Sequence, residues 1–84
     1  MFLHVEAVRH LEGYRVRVTF DNSVTKDVDL ERELHGPMFE PLRELEVFQQ
    51  VQVNLETGTI EWPNGADFAP EFLFEIGETV EQAA

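Results

Sequence analysis

Apolar and polar positions alternate through the first third of the chain, and a period of two predicts strands. Over residues 3–11, Leu3, Val5, Ala7 and Leu11 share one face, interrupted by Arg9, while His4, Glu6, Val8 and His10 share the other. Glu12-Gly13 turns the chain. The cleanest alternation follows over residues 14–20, with Tyr14, Val16, Val18 and Phe20 inward and Arg15, Arg17 and Thr19 outward. Asp21-Asn22-Ser23 makes the next turn, since Asp and Asn side chains accept local backbone hydrogen bonds. A third strand over 24–30 places Val24, Val28 and Leu30 inward beside Lys26, whose stem can cover apolar surface. Strands joined in this order by short turns predict an antiparallel meander with one wet face.

The period then lengthens. Asp29 can cap a short helix over 30–35, and Gly36-Pro37 stops it. Phe39, Leu42, Leu45 and Phe48 recur at three-residue steps, which with Pro41 predicts a second helical stretch over 41–49. Val51, Val53 and Leu55 alternate as a fourth strand, Glu56-Thr57-Gly58 forms a hairpin turn, and Thr59 to Trp62 forms a fifth strand. Trp62, the single Trp of the chain, shares a face with Ile60 and is expected to anchor the core. Pro63 has no N–H to continue pairing, and Asn64-Gly65 supplies residues that tolerate positive φ. Pro70 fits the first turn of a closing helix carrying Phe72, Leu73 and Ile76, although Ala69 is a poor cap for it. The reading is an α+β fold: a small antiparallel sheet, made of a three-stranded meander plus a later hairpin, with short helices packed on it. A single domain over 1–77 is expected, followed by an acidic, frayed C-terminal tail over 78–84.

The Tyr-x-Val-x-Val-x-Phe-Asp strand at 14–21, the Asp-Val-Asp-Leu turn at 27–30, Gly36 to Leu42 with Phe39 inside it, and Trp62-Pro63-Asn64-Gly65-Ala66-Asp67 occur in that order. Together they resemble the bacterial domain-of-unknown-function family 2442 over residues 5–75, and the tryptophan-to-aspartate motif is the most specific part. The resemblance implies a compact α+β fold of bacterial origin with no established activity. It also implies relatives fused to a helix-turn-helix domain, and others that stand beside a second small domain in toxin–antitoxin-like pairs.

Charge narrows the classes of partner. The 84 residues carry 17 acidic and 6 basic side chains, a formal net charge of −11. Such a field repels phosphate backbones and anionic lipid, and nucleic-acid binding needs a basic patch that the dispersed Lys and Arg do not supply. Neither a membrane span nor a signal-peptide pattern is present, so a cytoplasmic protein is expected. Taken alone, the acidity is most simply a means of keeping a small domain soluble; a basic protein partner is the complementary choice. Arg15 and Arg17 make one strand face less acidic, so Glu31, Glu33, Glu40, Glu44 and Glu46, on and around the two middle helices, are the candidate partner surface. Homo-oligomerisation is left open by the sequence.

Catalytic and metal chemistry find little footing. The chain has no Cys, and Ser23, its one Ser, falls in a turn. Neither a nucleophile elbow nor a phosphate-binding Gly-rich loop occurs. His4 and His10 share a strand face, but six residues of strand span roughly 20 Å, too far for one ion. Asp27 and Asp29 could divide acid and base roles, yet opposite Arg15 and Arg17 they are more simply cross-strand ion pairs. Neither catalytic residues, a cofactor nor a metal is therefore assigned. Asn64, Gly65 and Asp67, with Trp62, form a candidate turn that is either a recognition loop or structural, with Asp67 bonding to nearby backbone N–H groups. The leading expectation is a non-enzymatic protein-interaction module, the antitoxin-like or accessory half of a two-protein pair. The alternatives are a domain associated with a transcription regulator and a small ligand-binding protein or enzyme.

Overall fold

The computed structural model describes residues 2–80. The meander forms as the alternation predicts: β1 (Val5–His10), β2 (Arg15–Phe20) and β3 (Thr25–Asp29) pair antiparallel, with Val16 opposite Val28 and Arg17 opposite Asp27. Val16, Val18 and Phe20 are buried on one face of β2, and the arginines line the other.

β1 departs from the expected pattern. Val5 lies opposite Phe20 but Ala7 opposite Thr19, so a bulge inserts one extra residue between them. An extra residue reverses which side chains face the core. Val5 is buried, and beyond the bulge Val8 packs on the core and the His10 ring sets its edge against Phe48, whereas Ala7 is exposed. Arg9, expected as an interruption of the inward face, is on the outward face.

Both middle helices are shorter than expected. Asp29 Oδ1 accepts the Glu31 N–H (3.0 Å), but only a single 3₁₀ turn, Glu31–Glu33, forms before Gly36 at φ +86°. The predicted helix over 41–49 divides into a 3₁₀ turn, Glu40–Arg43, and a short helix α1, Leu45–Phe48, with Glu44 extended between them. The reason is geometric. Side chains nine residues apart sit about 180° apart on an α-helix, so one continuous helix could not bury both Phe39 and Phe48. The break at Glu44 re-aims the chain, so that Leu42 and Phe48 are both buried and Leu45 is left 48% exposed.

β4 (Gln52–Asn54) and β5 (Thr59–Glu61) form the hairpin, and Val5 N–H donates to Gly58 O (2.7 Å), tying it to β1. Helix α2 (Pro70–Ile76) closes the core with Leu73. Ala69 makes no side-chain cap at its start. At its other end, Lys26 Nζ donates to Phe74 O (2.6 Å) and sits 3.8 Å from the Phe74 ring centre, so its stem covers the core edge as expected. The chain then adds a strand where a frayed tail was expected. Glu78–Thr79 forms β6 on the free edge of β3, and Val80 N–H donates to Thr25 O (2.9 Å). The sheet order is β1-β2-β3-β6, with Glu78 and Thr79 opposite Asp27 and Lys26 on the β3 edge. The rest of the expected tail, 81–84, lies outside the described residues.

Candidate functional site

The tryptophan-to-aspartate segment is a tight hairpin. Trp62 N–H donates to Ala66 O (2.9 Å) and Gly65 N–H to Trp62 O (2.8 Å), with Gly65 at φ +89°. This is a turn closed by a glycine in the left-handed region, and it extends β5 by a bridge from Glu61 to Asp67. Asn64 is not itself left-handed: its Oδ1 accepts the Ala66 N–H (3.0 Å), and its Nδ2 donates to Met38 O (3.0 Å). The side chain therefore closes its own turn and ties it to the 37–39 loop. Asp67 departs from expectation, because its exposed carboxylate finds no hydrogen-bond partner among the described residues.

Trp62 is 1% exposed, donates from Nε1 to Phe48 O (2.8 Å), and packs against Phe48 and Phe68 at ring separations of 5.5 and 5.9 Å. Its place is the core, beneath the turn. Thr59, the buried polar residue beside it, donates its hydroxyl to Phe68 O. Outward from Trp62, Phe68 stacks on Phe39 at 4.7 Å and on Phe72 at 5.8 Å. The closing helix thus does not bury its whole predicted face: Leu73 is enclosed, Phe72 is half-buried and Ile76 is 37% exposed.

The charged residues divide unevenly between internal and external roles. Arg17 and Asp27 pair through two hydrogen bonds (2.7 and 3.0 Å), with Arg15 also 3.6 Å from Asp27. The Arg17 hydrogen bond, aided by the charges of Arg17 and Arg15, holds the Asp27 carboxyl below its ordinary range against the opposing effect of partial burial. Arg43 Nε donates to Leu34 O (2.7 Å), and Lys26 caps α2. Of 6 cationic side chains, Arg9 and Arg32 make neither hydrogen bond nor ion pair among the described residues. The candidate partner carboxylates do not converge on one spot. Glu31 and Glu33 border a shallow depression with Asp29, Arg32 and Ile76, while Glu40 and Glu44 border another with Pro37, Pro41 and Arg43. Glu46 is exposed on α1.

The histidines are dispersed. His4 Nδ1 lies 3.1 Å from Asp21, His10 Nε2 lies 2.8 Å from Gly13 O, and His35 is exposed. Asp21 is held below its ordinary range chiefly by the His4 backbone N–H, then by the imidazole. No group of three or more His, Asp or Glu among the described residues is placed to hold a metal ion, and no described helix is long and apolar enough to cross a membrane. An open groove of about 610 Å³ runs beside the β4–β5 hairpin, lined by Gln50, Gln52, Asn54, Leu55 and Glu61 among others. Asn54 Nδ2 donates to Glu61 Oε1 there (3.0 Å), so two of its polar groups are already occupied by each other.

The family profile described as "Protein of unknown function (DUF2442)" matches residues 5–79, from the first strand to the last. The chain belongs to the DUF2442 family. A solved structure from Nitrosomonas europaea, described as "Putative DNA Binding Protein", is similar over 90% of this DUF2442 chain with 26% identity and a TM-score of 0.79. This chain spans about half of that one, 49% of its length. No curated protein matches the sequence.

The Phe72–Ile76 flank of α2 and the Met38 loop were missed as surface features. Their signal was available: Phe72, Leu73, Phe74 and Ile76 wrap too far around a short helix to be buried together.

Proposed function

We propose that this DUF2442 domain is a non-enzymatic protein-interaction module whose partner is basic, as in the antitoxin-like or accessory half of a two-protein pair. The observation that carries the reading is the distribution of charge. With a net charge of −11, four of the 6 cations are tied to carboxylates or backbone carbonyls, while Glu31, Glu40, Glu44 and Glu46 stand exposed. Complementary fields speed encounter more than they tighten the final complex. The test is to capture partners from the source cell and measure association with the purified partner across a salt series. A basic partner whose association slows with salt supports the reading, and an acidic one removes it.

A second reading, a domain associated with a transcription regulator, is favoured by the Nitrosomonas structure. In that case this domain would be the half that does not touch DNA, because its exposed charge repels phosphate. A gel-shift experiment at physiological salt with this chain alone is expected to show no duplex binding.

A further inference from the structure

The aromatic cluster continues outward into a strip that the core does not use. Phe39 and Phe68 pack on the core, but among the described residues Phe72 does not, and its ring meets the outside of Phe68. Ile76 lies one helical turn beyond Phe72 on α2, and Met38, 45% exposed, stands beside Phe39 at the other end. Asn64 holds Met38 by its carbonyl, so this end of the strip is fixed to the tryptophan hairpin. Ring separations of 4.7 Å (Phe39–Phe68) and 5.8 Å (Phe68–Phe72), followed by one helical turn of about 5.4 Å to Ile76, set the length of the strip. Carboxylates lie along it: Glu40 follows Phe39, Glu71, which accepts the Leu3 N–H, precedes Phe72, and Glu31 and Glu33 share the depression around Ile76 with Asp29 and the cation Arg32.

We propose that this strip docks a basic amphipathic helix of a partner protein. The helix would lay apolar residues at i, i+4, i+7 and i+11 along Phe39, Phe68, Phe72 and Ile76, with Lys or Arg residues against the carboxylate rim. The proposal rests on the interaction-module reading and adds where the partner sits and what shape it has. Charge selects this occupant. A second copy would bring another −11 against the same rim, and an acidic helix would meet like charge along its whole length.

The experiment titrates isotopically labelled protein with three synthetic peptides of roughly 14 residues, about four helical turns, and follows backbone amide signals by NMR. One peptide is Leu/Lys with helical spacing, one replaces each Leu with Ser, and one replaces each Lys with Glu. The Leu/Lys peptide is expected to bind, shifting Met38, Phe39, Phe68, Phe72 and Ile76. The Ser/Lys peptide should bind at least about tenfold more weakly and the Leu/Glu peptide not at all. Phe72→Gln with Ile76→Gln should cut Leu/Lys binding at least about tenfold, and Met38→Gln, on an exposed loop, gives a second variant should the helix variant fail to fold. Equal binding of the Ser/Lys peptide would overturn the proposal while leaving a purely electrostatic interaction module standing. So would shifts confined to Glu44 and Glu46. Strip signals that move with protein concentration in the absence of peptide would also overturn it, in favour of a second copy. Indifference to all three peptides would count against the strip, whereas the interaction-module reading would still be judged by the charge and salt response of the captured partner.

Discussion

Gly58 has φ +72°, and a Cβ built there would lie 2.3 Å from the His4 ring. The position needs glycine for two separate reasons: backbone conformation and the close approach of an aromatic ring. Gly58→Ala should cost about 1–2 kcal/mol from the left-handed backbone alone, plus whatever is needed to displace His4. In a double-mutant cycle measured by urea denaturation, His4→Ala should recover the second part and not the first. Strict additivity of the two changes would show that the ring moves aside freely. Trp62 carries a larger share of stability. Trp62→Ala removes the ring that joins Phe48 to Phe68 and should cost about 3–5 kcal/mol, enough to unfold a domain of this size. A Trp62→Ala protein that melted like the parent would contradict its role as a core anchor.

Among the elements, β6 depends on one residue. A Cβ on Gly77 would meet Leu73 O at 2.9 Å and the Lys26 and Val28 side chains at 3.0 Å, so only glycine lets the chain leave α2 this close to β3. Gly77→Ala should detach Glu78–Thr79, seen as faster amide exchange at Val80, whose N–H donates to Thr25 O, with a smaller change at Val16 and Val18. Unchanged protection of Val80 would contradict this. The β2–β3 pair makes a pH-dependent contribution of definite sign. Asp27 is depressed below the ordinary 3.8, so its contribution is complete above that value and is lost as pH falls through the lower folded value. Protonation of the exposed carboxylates relieves self-repulsion over the same range, so the comparison must be between wild type and Asp27→Asn. The wild type should lose more stability than the variant as pH falls from about 5 into the acid range, and parallel curves would show the pair to be idle. These elements also show what the sequence could reveal. The strict alternation of β2 settled its inward face. In β1, Arg9 among apolar positions was the trace of a bulge, but alternation alone does not say where the extra residue sits. Phe39 to Phe48 matched a helix at each three-residue step, and only the accumulated drift forced a break. Glu78–Thr79 has no apolar signature, because a short edge strand is chosen by the open edge beside it.

For the whole molecule, the legible part of the site was its charge, and the illegible part was its shape. Counting residues gave the −11 and the exposed glutamates, but which cations would be occupied internally depended on contacts such as Arg43 to Leu34 O and Lys26 to Phe74 O. Lys26 and Arg43 keep their charge but are held in place by those carbonyls, while Glu40, Glu44 and Glu46 remain exposed. Trp62, the most distinctive residue of the sequence, is buried in the core, out of a partner's reach. Whether the acidic surface steers a basic protein partner is decided by stopped-flow association with the captured partner. Between about 20 mM and about 150 mM salt, where the screening length falls to about 8 Å, the association rate should drop about tenfold or more while dissociation changes little. Glu40→Lys with Glu44→Lys should slow association in low salt in the same way, with melting temperature nearly unchanged. An association rate indifferent to salt and to charge reversal, or a partner that is itself acidic, would contradict steering and reduce the surface to a means of staying in solution.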